Sequence, residues 1–229
     1  MRFYENPENI FVNRLPQRSY YIPENDGAYT LLNGEWKFRY FKTEEDYCEN
    51  ITEWDKIPVP SCWQLYGYED PNYTNVNYPY PVDPPYVPDD NPMGVYEYEF
   101  SVENTDNRTY IVFEGVSSCL FLYINGEFAG YSQGSHLQAE FDITSLVKKG
   151  KNILRAKVMK WCSGSYLEDQ DFFRMNGIFR DVYLLSRPEG HIKDIEIKTK
   201  GNNILVKFEG EAEITLEDNG TILHTEGFK

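Results

Sequence analysis

The chain has 229 residues, 41% hydrophobic and 16% aromatic with 19 Tyr and 14 Phe, a composition that builds a β-rich core and excludes a disordered chain. Its 37 acids against 22 bases leave a formal charge of -15, which repels nucleic-acid phosphates and anionic lipid and argues against both as partners. No apolar run approaches the roughly 20 residues of a membrane span or makes a leader, so a cytoplasmic location is expected, and Cys48, Cys62, Cys119 and Cys162 lack metal-ligand spacing and read as free buried thiols.

Residues 1–30 carry Pro7, Pro16 and Pro23 among Asn and Tyr with no helical or strand period. They predict an extended arm lying on another surface, such as a second subunit of a homo-oligomer. From residue 31 the strand signals begin: an Asn33-Gly34 turn stands before the alternating Trp36, Phe38 and Tyr40. The run Asp70-Pro71-Asn72-Tyr73-Thr74-Asn75-Val76-Asn77-Tyr78-Pro79 reads either as an asparagine-rich turn or as a set of amides and phenols suited to sugar hydroxyls. An amide, like a hydroxyl, both donates and accepts. Six of the 13 prolines then fall between Pro79 and Pro92, where each ring removes an amide donor, and predict an ordered polyproline-like loop or a linker.

Beyond the prolines, Val95–Val102, Thr109–Glu114, Leu120–Ile124, Asn152–Lys160 and Arg180–Leu185 read as strands. Asn125-Gly126 supplies the positive φ angles of a two-residue hairpin, with Glu127–Tyr131 returning beside its partner. Phe141–Val147 predicts a short capped helical turn. Many short strands with turn signals and almost no helical period predict an all-β jelly-roll β-sandwich over residues 31–186. After Arg187-Pro188-Glu189-Gly190 the pattern becomes simple alternation, giving three strands and an Asn219-Gly220 turn into a fourth. An immunoglobulin-like β-sandwich takes about seven strands over about 100 residues, so residues 187–229 predict a truncated one with unpaired edges.

The densest chemistry lies in Trp161–Asp181, where Glu168, Asp169 and Asp171 fall within four positions. Acids this close repel unless compensated. Local pairing with Arg174 and Arg180 would do so, and so would a hard cation or sugar hydroxyls at the carboxylate oxygens.

Together, Leu32-Asn33-Gly34-Glu35-Trp36, Val59-Pro60-Ser61-Cys62-Trp63-Gln64, Tyr73–Pro79, Gly164–Asp171 and Gly177-Ile178-Phe179-Arg180-Asp181-Val182 resemble the N-terminal region of the β-galactosidases of glycoside hydrolase family 2. The first, second and last motifs also suit the glucuronidases and mannosidases of that family. The resemblance implies a galactose-binding-domain-like jelly roll, then an immunoglobulin-like domain, then a (β/α)8 barrel that carries an acid/base Glu, a nucleophile Glu and a magnesium ion. It implies that Asn75 lines the substrate pocket at the barrel's mouth. It also implies that Asp171 hydrogen-bonds a β-galactoside and shares a sodium ion with the barrel.

A retaining glycosidase needs two carboxyl groups about 5 to 5.5 Å apart, and the family's catalytic Asn-Glu signature is absent from these residues. The expectation is therefore a non-catalytic part of a β-galactosidase, against a stand-alone carbohydrate-binding module or an assembly domain of a related glycosidase. Asn6 and Gln133 match a structural magnesium site seen in family members, but Phe3 and Ser163 stand where its acids are expected.

Overall fold

The computed structural model describes residues 2–18, 28–75 and 77–228. The predicted arm's residues 19–27, with Pro23, and Val76 of the asparagine-rich run lie outside the described residues. In chain order the first ten strands are β1 (Phe11–Val12), β2 (Tyr29–Leu31), β3 (Gly34–Phe41), β4 (Asp55–Val59), β5 (Asn72–Thr74), β6 (Met93–Val102), β7 (Arg108–Phe113), β8 (Val116–Ser117), β9 (Cys119–Ile124) and β10 (Glu127–Gln133). There follow β11 (Ala139–Asp142), β12 (Gly150–Met159), β13 (Phe172–Arg174), β14 (Gly177–Ile178), β15 (Val182–Arg187), β16 (Ile195–Lys200), β17 (Asn203–Phe208), β18 (Ala212–Asp218) and β19 (Thr221–Phe228).

Two antiparallel sheets face each other as a jelly-roll sandwich, one ordered β1-β10-β9-β12-β6-β3-β4 and the other β11-β7-β15-β2. The period-2 pattern dictates which side chains meet between them. Trp36 and Phe38 of β3, Ile57 of β4 and Leu154, Ala156 and Val158 of β12 pack with Ile111 and Phe113 of β7 and Val182 and Leu184 of β15. Each large apolar side chain removed from water there stabilises the fold by roughly 1.5–3 kcal/mol.

The predicted hairpin is present: Asn125 (φ 53) and Gly126 (φ 86) join β9 to β10. Asn33-Gly34 plays a different part, because β2 and β3 lie in opposite sheets and the dipeptide crosses between them. The Asn33 carboxamide holds that crossing by donating to Asp181 at 2.7 Å and accepting from the Val182 amide at 3.1 Å. The expected helical turn over Phe141–Val147 is corrected in its first half, where Phe141 and Asp142 end β11. Phe141 is drawn into the core between the sheets, and only the following residues turn, with Asp142 Oδ1 accepting from the Thr144 amide at 3.0 Å.

The described part of the arm can be traced along the sandwich. Its described residues lie on this chain's own sandwich: Phe11 and Val12 pair with Ser132 and Tyr131 of β10, and Arg14 bridges to Phe141. Leu15 packs against Tyr110, Val112, Tyr183 and Leu185, so the small sheet is buried on its outer face as well. That is why β7 carries buried residues at successive positions instead of alternating ones.

The proline-rich segment is an ordered loop. Tyr80 and Val87 join a second core cluster with Tyr4, Trp161 and Tyr166. The buried Asn91 carboxamide pairs with both backbone groups of Trp161 at 2.9 Å, replacing ladder bonds that the prolines cannot make. Past Pro188 the four predicted strands form two separate hairpin ladders, β16–β17 and β18–β19. All six residues of β16 are exposed, so this region has no core of its own among the described residues.

Candidate functional site

Asn75 and Asp171, 96 positions apart in the chain, stand side by side, and the ladder that joins them is short. Strands β5 and β13 pair antiparallel with Thr74 opposite Phe172, Tyr73 opposite Phe173 and Asn72 opposite Arg174. Continuing that register by one step sets Asn75 opposite Asp171. The two-residue period then sorts the side chains: Tyr73, Asn75, Asp171 and Phe173 share one face, while Thr74 and Arg174 share the other. The burial follows the same division. Tyr73 is 56% exposed and Phe173 59%, and Asn75 and Asp171 are exposed, whereas Thr74 and Arg174 are buried.

The buried face holds the ladder in place. The Arg174 guanidinium donates to Thr74 Oγ1 at 3.2 Å, the Ser165 carbonyl at 3.4 Å and Asp169 Oδ1 at 3.2 Å. The loop behind is pinned in turn by Tyr78, which donates to the Tyr166 carbonyl, and by Tyr166, which donates to the Tyr86 carbonyl, both at 2.6 Å. Proline loop and acidic loop thus form one rigid support.

The three clustered acids have three different environments. Asp169 pairs with Arg174, as local compensation requires. Glu168 accepts from the Ser135 amide and hydroxyl at 2.6 Å each. Asp171 accepts from Tyr73 Oη at 2.7 Å, and Tyr73 Oη accepts from Asn75 Nδ2 at 3.3 Å. Arg180, expected to neutralise these acids, instead donates to the His136 carbonyl at 3.3 Å. Phe173 is the site residue that sequence reasoning missed, and Tyr73 was read only as one phenol of the asparagine-rich run. The signal for the ladder was the alternation Tyr73-x-Asn75, too short to read as a strand.

Asp171 can serve as one ligand of a hard cation. Its carboxylate is exposed and Tyr73 is its one hydrogen-bond partner among the described residues. A full coordination shell needs about six oxygens, and no cluster of three or more His, Cys, Asp or Glu residues exists among the described residues. The arm-side magnesium position does not fit its ion. Gln133 Oε1 already accepts from the Gly164 amide at 2.8 Å and from Ser163 Oγ at 3.2 Å, and its Nε2 donates to Tyr131 at 2.7 Å. Asn6 Oδ1 accepts from the Glu8 amide at 3.0 Å, and the Phe3 ring packs on Tyr131 at 4.7 Å. Satisfied neutral groups and an aromatic ring are a poor donor set for a hard dication. Among the cysteines, Cys119 and Cys162 are buried, Cys62 is half-buried and Cys48 is at the surface; all four are free thiols.

A jelly-roll sandwich that displays an amide, a carboxylate and two aromatic rings on one exposed ladder offers groups that can hydrogen-bond sugar hydroxyls. Residues 29–188 match the family described as glycosyl hydrolases family 2, sugar binding domain, and the chain belongs to that family. It is 44% identical over 211 residues to a β-galactosidase of Actinobacillus pleuropneumoniae, covering 86% of this chain and 21% of the relative. It is also 45% identical over 215 residues to a β-galactosidase of Staphylococcus xylosus, covering 86% of this chain and 22% of the relative. The chain therefore spans about a fifth of the length of the curated relatives it matches. Its fold is similar to that of the Ruminococcus gnavus β-glucuronidase, with a TM-score of 0.68 at 19% identity over 94% of this chain and 40% of the other. The β-glucuronidase of an uncultured Clostridium gives 0.67 at 19% identity over 93% and 40%. No helix among the described residues is long and apolar enough to cross a membrane.

Proposed function

We propose that this chain is the non-catalytic sugar-binding part of a β-galactosidase, supplying one wall of a galactoside pocket whose reacting groups lie on a barrel domain elsewhere in the longer protein. The observation that carries the reading is the convergence of Asn75 and Asp171 on one exposed ladder, joined through Tyr73. The identity to β-galactosidases supports the choice of galactoside. The likeness to glucuronidases rests on fold alone.

Each residue has a task that its chemistry allows. Asn75 offers an amide that can donate to or accept from a sugar hydroxyl. Asp171 accepts hydroxyl hydrogens, and a charge-assisted bond of this kind is stronger than a neutral one. Arg174 and Thr74, behind them, fix the ladder so that both groups stand preorganised before sugar arrives. A shared sodium ion, with Asp171 as one ligand, would supply positive charge beside the sugar's oxygens. Bond cleavage requires a protonated carboxyl and a nucleophilic carboxylate about 5 to 5.5 Å apart. The three carboxylates of the acidic loop instead serve Ser135, Arg174 and Tyr73. We assign cleavage to the barrel, and the fragment alone is expected to be inactive.

The test uses the longer protein. Asp171→Asn is expected to raise KM for lactose at least tenfold and to weaken the dependence on sodium, and Asn75→Ala to raise KM severalfold. Unchanged kinetics in both variants would refute the assignment.

A further inference from the structure

We infer that Tyr73 is a positioning residue, whose hydroxyl orients Asn75 and Asp171 so that both present oxygen acceptors to the sugar; this rests on the galactoside-wall reading above. Tyr73 Oη has one hydrogen, and it goes to Asp171 Oδ1 at 2.7 Å. Toward Asn75 the hydroxyl can then only accept, which it does from Nδ2 at 3.3 Å. The polarity of the chain of bonds is therefore set from Asn75 through Tyr73 to Asp171. The Asn75 amide must turn its nitrogen to Tyr73 and so turns Oδ1 away from it, while Asp171 keeps Oδ2 clear of the tyrosine.

Neither group has a second side-chain or backbone hydrogen-bond partner among the described residues. Without the hydroxyl, an exposed carboxamide and an exposed carboxylate would each rotate freely and would have to be ordered when the sugar binds. With it, two acceptors are held on one face at the ladder's open end, a pattern that selects a ligand presenting adjacent hydroxyl donors. The Tyr73 ring is held independently of its hydroxyl. It packs on Phe173 with centroids 5.4 Å apart, and the backbones of Tyr73 and Phe173 are register partners. The tyrosine can therefore lose its oxygen while the ladder keeps its shape.

Tyr73→Phe in the longer protein is the direct test, with Asp171→Asn beside it. Galactose affinity is read by calorimetry at limiting and saturating sodium. Tyr73→Phe is expected to weaken galactose about tenfold, as loss of a hydrogen bond to a charged group would, and to raise the sodium concentration at half effect, with the melting temperature little changed. Affinity unchanged in Tyr73→Phe but lost in Asp171→Asn would overturn the positioning role and leave the galactoside wall standing. Affinity unchanged in Asp171→Asn would overturn the wall itself. In the 229-residue chain, the side-chain amide resonances of Asn75 give a readout free of ligand. Tyr73→Phe is expected to move them and to speed their hydrogen exchange, and identical spectra would overturn the inference.

Discussion

Gly130 illustrates how a single absent side chain lets the arm lie where it does. A Cβ there would stand 2.5 Å from the Phe141 ring and 2.7 Å from the Val12 carbonyl, closer than real contacts allow. The residue sits at the irregularity where the β10–β9 register shifts, between Phe128 and Gly130. A glycine at this point lets β1 approach from outside while Phe141 fills the core from within. Gly130→Ala is expected to destabilise by about 1–3 kcal/mol through overpacking, seen as a fall in melting temperature of roughly 5 °C. An unchanged melting curve would mean that the arm is not held against β10 as described.

At the scale of elements, the exposed side of the large sheet is fastened by charge across three strands. Glu97 of β6 stands directly opposite Lys37 of β3 and Arg155 of β12. It accepts from Lys37 Nζ at 2.9 Å and from the Arg155 guanidinium at 2.8 Å. Burial alone would push its carboxyl up, but the two cations outweigh that effect and hold it below its ordinary value. A glutamate in the unfolded chain titrates near about 4.3. The stabilisation is therefore complete above that pH and is lost as the pH falls through the lower folded value. Glu97→Gln is expected to cost roughly 0.5–1 kcal/mol at neutral pH, in the range of cross-strand ion pairs, and to cost almost nothing near pH 2. Urea unfolding of both proteins at the two pH values checks this, and an equal deficit at both would contradict it.

For the molecule as a whole, what could be read in advance followed from how local its physics is. Long strands with their own period, such as β6 and β12, and the Asn125-Gly126 hairpin were legible because the signal and the structure occupy the same few residues. Strands β1, β5 and β13 were not, since two or three residues have no period and their partners lie far along the chain. The same holds for the site. Composition alone left Asn75 between an asparagine-rich turn and a sugar-binding run and Asp171 in an acidic cluster, and family resemblance named both residues. Only the register of Thr74 with Phe172 shows that they adjoin. The role of Tyr73 needed the hydrogen-bond geometry, which no sequence pattern carries.

The four strands past Pro188 add a further whole-molecule feature. Ile195, Ile197, Ile204 and Leu205 remain exposed on a two-stranded ladder, at 42 to 65% of their surfaces. A pair of isolated hairpins is marginal in water. The chain spans about a fifth of the length of the relatives it matches. The proposed function makes the galactoside wall one part of a pocket that the longer protein would complete.

Titrating galactose into the 229-residue chain and, in parallel, into the longer protein addresses that claim most directly. Saturable heat from the longer protein and none from the chain alone is the expected result. Binding of equal strength by the isolated chain would contradict it, because the sandwich would then hold a complete sugar site of its own.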